Sequence, residues 1–181
     1  MQLWKHLHTV NRHRALVRHY CFCLGLYRQG LTHDLSKYSP TEFWRGAKYY
    51  QGYRSPNDAE RQATGLSMAW LHHKGRNRHH FEYWIDYCLG PDGKPCIGGC
   101  KMPKKYVAEM FCDRVAACRI YQKEKYTDAS PYAFFCRSAK LAMIHPETAA
   151  LLERWLVLLR DQGEEAALAQ IRRELRESKD Y

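Results

Sequence analysis

The chain has 181 residues, of which 45% are hydrophobic and 27% are charged, and its formal net charge is +10. This length suits one globular domain with its own core, and no stretch approaches the ~18 to 20 apolar residues that a membrane span needs. The start MQLWKHLHTVNRHR is polar and does not resemble a signal peptide. We therefore expect a cytoplasmic protein that keeps its eight cysteines reduced.

The positive charge is concentrated in residues 1–80, which hold 13 Lys and Arg against 4 Asp and Glu. Nine of the ten histidines lie in the same segment, whereas residues 81–181 are close to neutral. Positive charge around a histidine cluster favours an anionic ligand, most commonly a phosphate group. A basic segment with interleaved Tyr and Trp also fits nucleic acid, and a solvated basic face is the simplest alternative.

Apolar residues recur at helical spacing along most of the chain, and no segment shows the clean alternation of a β-strand. The helices predicted in the first half cover about 9–29, a short stretch that begins at Pro40, 59–73, and a segment that begins with HHFEYWIDY. Residues 90–103 contain four glycines and three prolines, which predicts a loop or flap. A zinc site formed by Cys88, Cys96 and Cys100 is an alternative for that segment.

The second half is predicted to be helical as well. A long helix is expected over 104–125 and a short one over 131–143. The last segment looks like a helical hairpin that begins at Pro146 and breaks at Gly163. The predicted fold class is all-α, with a single helical domain over residues 1–145 and a C-terminal helical hairpin, residues 146–181, packed on the same domain.

His13 lies at the centre of the apolar stripe of the first predicted helix. At ~100° per residue, the same face carries Val10, Leu16, Val17, Tyr20 and Leu24. His19 falls on the opposite side. An isolated inward histidine is more often a core residue than a metal ligand, so the interpretation of His13 depends on what other helices contribute.

Asp113 lies in the middle of an apolar face of the helix predicted for 104–125. That face also carries Tyr106, Met110, Ala117 and Ile120. Burial of a carboxylate is costly unless the group is paired or binds a metal. We predict that Asp113 is a metal ligand, and an ion pair with an arginine is the alternative.

Four histidines surround the turn in LHHKGRNRHHFEYW, namely His72, His73, His79 and His80. Neutral imidazoles are the commonest metal ligands, and one ring of an adjacent pair can point inward while the other orients it. We expect His73 and His80 to be the ligands, although spacing does not decide which member of each pair binds. A surface cluster that binds phosphate is the alternative.

The dipeptide His33-Asp34 follows the first predicted helix and precedes a Leu-Ser-Lys turn. Adjacent imidazole and carboxylate ligands can bind one metal ion or bridge two, provided that other helices bring further ligands to the same place. His33 and Asp34 are therefore the centre of the predicted site.

The order His13, His33-Asp34, the histidines of 72–80 and Asp113 resembles the H…HD…H…H…D pattern of the HD-domain metal-dependent phosphohydrolases. HDLSK is similar to the HD turn of that superfamily, which ends in lysine. HRALVRHY is similar to its opening and CDRVAA to the segment with its last Asp. More narrowly, HDLSKYSPTEF together with HHKGRNRHHFEYW resembles a bacterial and phage family of HD-like proteins of unassigned function. The resemblance covers roughly residues 10–125.

The resemblance implies a single HD-like helical bundle that hydrolyses a nucleotide or another small phosphoester through a two-metal site. Two divalent ions (Mn, Fe, Mg, Co or Ni) would be held by His13, His33, Asp34, His73, His80 and Asp113. Lys37 and His79 would be catalytic, with His79 or His72 as general acid for the leaving group. The substrate-binding residues would be Lys37, Arg76, Arg78 and His72.

Two other functions fit the same residues. Some HD-domain proteins with four His and two Asp ligands are di-iron oxygenases, so the ligand count alone does not separate that chemistry from hydrolysis. A non-enzymatic, basic nucleic-acid-binding module is the third hypothesis, and it predicts binding that weakens steeply with salt. No membrane association is expected.

Overall fold

The structure is a computed structural model that describes residues 2–90, 93–139, 143–178 and 180–181. In this part of the chain the helices are α1 (Gln2–Cys23), α2 (Tyr27–Thr32), α3 (Pro40–Lys48), α4 (Pro56–Thr64), α5 (Met68–Lys74), α6 (Lys104–Gln122), α7 (Ser130–Ala139) and α8 (Pro146–Glu177). Three short 3₁₀ segments occupy Leu35–Tyr38, Phe81–Trp84 and Lys123–Lys125. The all-α prediction is confirmed. None of the helices in the described ranges combines the length and apolar character needed to cross a membrane.

Glycines divide two segments that were each predicted as one helix. Gly25 at φ +79° lies between α1 and α2, and Gly65 at φ +80° ends α4 before α5. Such left-handed conformations suit glycine because it has no Cβ to clash with the backbone. The prediction of one helix over about 9–29 is therefore wrong, since the apolar periodicity continues through a sharp turn that reorients the chain.

A small antiparallel sheet lies where the sequence predicted a helix followed by a flap. Strand β1 (Ile85–Leu89) pairs with β2 (Pro95–Gly99), and Cys88 faces Cys96 with 3.6 Å between their sulfur atoms. The hairpin buries no continuous face, and Tyr87 and Leu89 are 77% and 74% exposed. Apolar and polar residues do not alternate along these strands, because neither face of the hairpin packs against the core. Among the described residues, the groups close enough to hold a metal do not include these thiols.

The core is formed where α1 and α8 pack against α6. Its members include Val17 of α1, Phe111 and Val115 of α6, and Trp155 of α8, all at most 2% exposed. Because α6 is covered by both neighbours, its position is fixed tightly. The polar residues on α6 are therefore held in place by the core next to them.

The C-terminal part of the chain is helical, as predicted. The short helix expected over 131–143 is α7, and residues 140–142 of that prediction lie outside the described residues. The last segment is a helical hairpin. Backbone hydrogen bonds run along α8, but Gly163 at φ 83° and ψ 175° breaks the helix axis.

The second half of α8 folds back on the first, so that Arg154 donates two hydrogen bonds, of 2.7 and 2.8 Å, to Glu174. Leu151, Leu156 and Ile171 belong to the same hydrophobic core as α1 and α6. The hairpin therefore packs on the helices that carry the predicted ligands.

Candidate metal centre

The turn between α2 and α3 places Asp34 in a left-handed backbone conformation, with φ 54° and ψ 25°. This conformation costs a residue other than glycine about 1 kcal/mol, although aspartate tolerates it better than most. Asp34 is 1% exposed and His33 is 2% exposed, so the turn directs both side chains inward. Backbone strain that is retained at a buried carboxylate is typical of functional sites.

Four residues from three parts of the chain form a first group of metal-binding atoms: His13, His33, Asp34 and Asp113. His13 Nε2 lies 2.9 Å from Asp113 Oδ1 and 3.6 Å from Asp34 Oδ2. His33 Nε2 lies 3.3 Å from the same Asp34 oxygen and 3.5 Å from His13 Nε2. The ligand atoms all face one point between α1, the Asp34 turn and α6.

A second group uses the other oxygen of Asp34 together with His73, His79 and His80. Oδ1 of Asp34 lies 3.3 Å from His73 Nε2 and 3.4 Å from His79 Nε2. His73 Nε2 and His80 Nε2 are 2.9 Å apart. Asp34 is thus shared between two ligand groups, one at each carboxylate oxygen, which is the arrangement that a carboxylate bridging two ions requires.

Two buried glutamates fix the orientation of the imidazole rings. Glu109 Oε1 accepts from Nδ1 of His33 at 2.9 Å and lies 3.1 Å from Nδ1 of His79. Glu42 holds Nδ1 of His72 and of His73, each at 2.7 Å. A ring that donates its Nδ1 proton to a carboxylate presents an unprotonated Nε2 to the site, and this is how carboxylates orient metal-binding histidines.

Several polar atoms in the centre lack a hydrogen bond, although Lys37 lies close to one of them. Both carboxylate oxygens of Asp34 and Nε2 of His79 are buried and make no hydrogen bond of good geometry among the described residues. A buried polar group without a hydrogen bond costs about 1–3 kcal/mol. The donor set contains only imidazole nitrogen and carboxylate oxygen, which suits divalent first-row metals. The residues present therefore fit metal ions.

The charges in the centre are arranged to keep the carboxylates ionised. Burial opposes ionisation, but His33 and Lys37 hold the pKa of Asp34 well below its ordinary value. Burial and the neighbouring rings of His79 and His73 hold the pKa of His80 well below its ordinary value. Although burial opposes it, the charge of Asp34 raises the pKa of His33 and of His73, so a metal ion would displace the protons of these two rings when it binds.

Lys37 lies one turn after Asp34, and its Nζ is 2.6 Å from Asp34 Oδ2. Although burial favours the neutral amine, the charge of Asp34 raises the pKa of Lys37 above its ordinary value. The side chain is 28% exposed and that of Asp113 is 20% exposed. A permanent positive charge therefore lies beside the centre on a side that solvent reaches.

A comparison with family models matches residues 2–157, a range that contains every residue of both ligand groups. The chain belongs to DUF5662, a family of unknown function. No significant match was found among curated proteins or among solved structures. The DUF5662 match ends inside α8, so it includes only residues 146–157 of the C-terminal hairpin.

In this DUF5662 chain, all six residues predicted as ligands lie in the two groups. His79, predicted as a catalytic residue, also lies in the second group, with Nε2 facing Asp34. His72 lies outside both groups and contacts Glu42. Arg76 and Arg78 are exposed, and they donate to the His72 carbonyl and to the Tyr106 hydroxyl.

Glu42 and Glu109 are site residues that were not predicted from the sequence. Glu109 precedes Asp113 by four residues, and this spacing puts both carboxylates on one helix face. That signal was available in the sequence. Glu42 follows Ser39 by three residues, which is the spacing of a helix N-terminal capping box. The local pattern explains Glu42 without a site, so only the tertiary contact with His73 identifies its role.

Proposed function

We propose that the protein is a metal-dependent phosphohydrolase of the HD type, which acts on a nucleotide or another small phosphoester. The observation that carries the proposal is the position of Asp34, whose two buried oxygens each face a separate group of imidazoles. The basic residues 1–80 around this centre favour an anionic substrate. The resemblance of the motif order to HD-domain enzymes supports the same reaction class.

In this proposal one ion is held by His13, His33, Asp34 and Asp113, and the other by Asp34, His73, His79 and His80. Two divalent ions at such a centre supply an activated water and neutralise the charge of the phosphoryl group. Glu42 and Glu109 keep the rings in the tautomer that binds metal. The metal is one of Mn, Fe, Mg, Co or Ni.

The protein's own side chains bind the substrate and transfer protons. Lys37 keeps its charge beside the centre and contacts a phosphate oxygen, with Arg76 and Arg78 guiding the anion from the surface. His79 is better placed as a ligand than as an acid, because its Nε2 is buried against Asp34. This leaves His72, whose Nδ1 is held by Glu42 and whose side chain is 19% exposed, to protonate the leaving group.

All eight cysteines are free in the structure, which fits a reducing compartment such as the cytoplasm. The thiols at Cys21, Cys112 and Cys118 are buried in the helical core, where reduced cysteine acts as a small apolar side chain. We propose a cytoplasmic enzyme with a small phosphorylated substrate.

The test begins with the metal content of the purified protein, followed by a screen of nucleotides and phosphoesters with the metal that is found. We expect one to two ions per chain and hydrolysis that proceeds without oxygen. Asp34→Ala should remove metal and activity together. Metal content that survives this substitution would exclude the site, and iron content with strictly oxygen-dependent turnover would identify an oxygenase instead.

A further inference from the structure

A groove of about 620 Å³ lies between the start of α1, the loop after α3 and the end of α6. Its lining includes Trp4, Lys5 and Arg12 from α1, Tyr53 from the loop, and Lys123 after α6. We call it the aromatic groove. A second cavity of about 440 Å³ shares Gly52, Tyr53 and Lys123 with it, so the two form one depression. Sites for small ligands have volumes of about 300–1,000 Å³.

The aromatic groove combines exposed rings with positive charge. Trp4 is 71% exposed and Tyr53 is 68% exposed, so neither ring is used by the core. Lys5, Arg12 and Lys123 add three cations, and none of the described residues that line the aromatic groove itself is acidic. Of the described residues that line the adjoining cavity, one is acidic, Glu124, which lies between Lys123 and Lys125. Exposed aromatic faces beside Lys and Arg match a nucleotide, because a base stacks on the rings while phosphate pairs with the cations.

The aromatic groove lies beside the metal centre. Thr9, which lines the groove, precedes His13 by one turn of α1, or about 6 Å along the helix axis. Ile120 lines the opposite wall and follows Asp113 by two turns of α6, about 10 Å along its axis. A hydrogen bond of 2.8 Å between Thr9 Oγ1 and Tyr50 Oη joins the loop to α1.

The helix that carries Asp113 also reaches the adjoining cavity. Tyr121 borders that cavity and follows Asp113 by eight residues of α6, or about 12 Å along the helix axis. Lys37 and Asp113 are themselves partly exposed, whereas Asp34 and His73 are almost fully buried. A ligand that reaches the centre past Lys37 would therefore extend along Tyr121 into the aromatic groove.

We propose that the aromatic groove binds the base and a second phosphate of a nucleotide whose reacting phosphate lies at the metal centre. The assignment rests on the phosphohydrolase function proposed above and narrows its substrate class. The base stacks on Trp4 and Tyr53. The second phosphate pairs with Lys5 and Arg12, which lie on α1 together with His13 of the centre.

The test uses metal-free full-length protein, so that nothing is hydrolysed during the titration. Calorimetry compares AMP, adenosine 3′,5′-bisphosphate and ribose 5-phosphate, which carries the sugar and phosphate without a base. We expect AMP to bind about 5- to 100-fold more tightly than ribose 5-phosphate, which is the usual effect of base stacking. The bisphosphate should bind more tightly than AMP.

Two double variants separate the contributions. Trp4→Ala with Tyr53→Ala should remove the preference for AMP over ribose 5-phosphate, and Lys5→Gln with Arg12→Gln should remove the preference for the bisphosphate. Trp44→Ala with Tyr87→Ala is the matched control, since these rings are 61% and 77% exposed and do not line the groove. Circular dichroism confirms that each variant is folded.

The possible outcomes test nucleotide binding in the aromatic groove independently of the proposed hydrolysis. Equal affinity for AMP and ribose 5-phosphate, or no effect of the Trp4 and Tyr53 substitutions, overturns the groove whatever the metal-loaded protein hydrolyses. Nucleotide binding that depends on these rings, in a loaded protein that hydrolyses no phosphoester, supports the groove and refutes the phosphohydrolase. A 15-nucleotide single strand that binds with steep salt dependence and that AMP does not displace would indicate a nucleic-acid surface, and would also overturn the proposal.

Discussion

Two of the buried carboxylates are held in different ways, Glu174 in the C-terminal hairpin and Asp34 at the candidate metal centre. Glu174 accepts two hydrogen bonds from Arg154, one of 3.0 Å from Trp155 Nε1 and one of 2.8 Å from Gln170. Asp34 has Lys37 as a close cation, and it otherwise faces imidazole nitrogens with which it makes no hydrogen bond of good geometry.

We interpret this difference as that between a structural carboxylate and a proposed metal ligand. Fixed donors from the protein saturate Glu174, and its charge therefore joins the two halves of α8. Asp34 lacks such a set of donors, and the proposed metal ions would complete its coordination. Substitutions at the two positions should consequently affect different properties of the protein.

The largest effect is expected for Asp34→Asn, which keeps the shape and tolerates the left-handed backbone conformation. Bound metal should fall to near zero, and hydrolysis should fall by more than about 100-fold, because both ligand groups lose the charged carboxylate that they share. The metal-free variant should also lose part of the unfolding free energy, because the substitution removes the buried charge that pairs with Lys37. Metal analysis and urea unfolding with EDTA measure both quantities, and a folded variant that retains its metal would contradict a ligand role for Asp34.

The second-largest effect, a loss of metal affinity, is expected for Glu109→Gln. This substitution leaves every proposed ligand in place but weakens the contacts with Nδ1 of His33 and His79. Loss of such an orienting carboxylate typically lowers metal affinity by about 10- to 100-fold. Competition with a fluorescent chelator measures this affinity. Glu124→Gln, in the same region of sequence but outside both ligand groups, is the control. An unchanged affinity in Glu109→Gln would show that the contact serves packing alone.

Glu174→Gln should produce the opposite pattern, with stability lost and metal content retained. Removal of the charge weakens the hydrogen bonds from Arg154 and Trp155, and the expected loss is about 1–3 kcal/mol of unfolding free energy. Urea unfolding of the metal-free protein measures it. A lower metal content at full stability would contradict the structural role of this carboxylate.

The smallest expected effect is the pH dependence of the difference in unfolding free energy between wild type and Glu174→Gln. Hydrogen bonds from Arg154, opposed by burial and reinforced by Gln170 and Trp155, lower the pKa of Glu174 to about 2. In the unfolded chain the value is about 4.3. Stabilisation by the carboxylate is therefore complete above about pH 4.3 and is lost as the pH falls toward 2. The difference between wild type and Glu174→Gln should shrink over this interval, and a difference that grows at acid pH would refute the assignment.

The sequence predicted the helical fold and the residues of the centre better than it predicted helix ends. His13 and Asp113 were identified because a polar residue interrupts a continuous apolar stripe, which is a local signal. The breaks at Gly25 and Gly65 were missed because apolar spacing continues across both turns. The hairpin of β1 and β2 was missed because it has no buried face to impose alternation.

The roles within the centre depended on contacts between distant segments. His79 was predicted to transfer protons, and its position against Asp34 follows from Glu109, which is 30 residues away in the chain and holds its ring. His72 and His73 are adjacent and both bind Glu42, yet only His73 faces Asp34. Spacing cannot distinguish such neighbours, because ring orientation is set by carboxylates on other helices.

By itself, the sequence determined that the chain is helical and that histidines and aspartates on separate helices point inward, because helical periodicity and the cost of burying charge act locally. Only the tertiary structure decided that Asp34 is shared by two groups and that Glu42 and Glu109 orient the rings. These features arise when α1, α5 and α6 pack around one turn, and packing is a property of the whole core rather than of any segment.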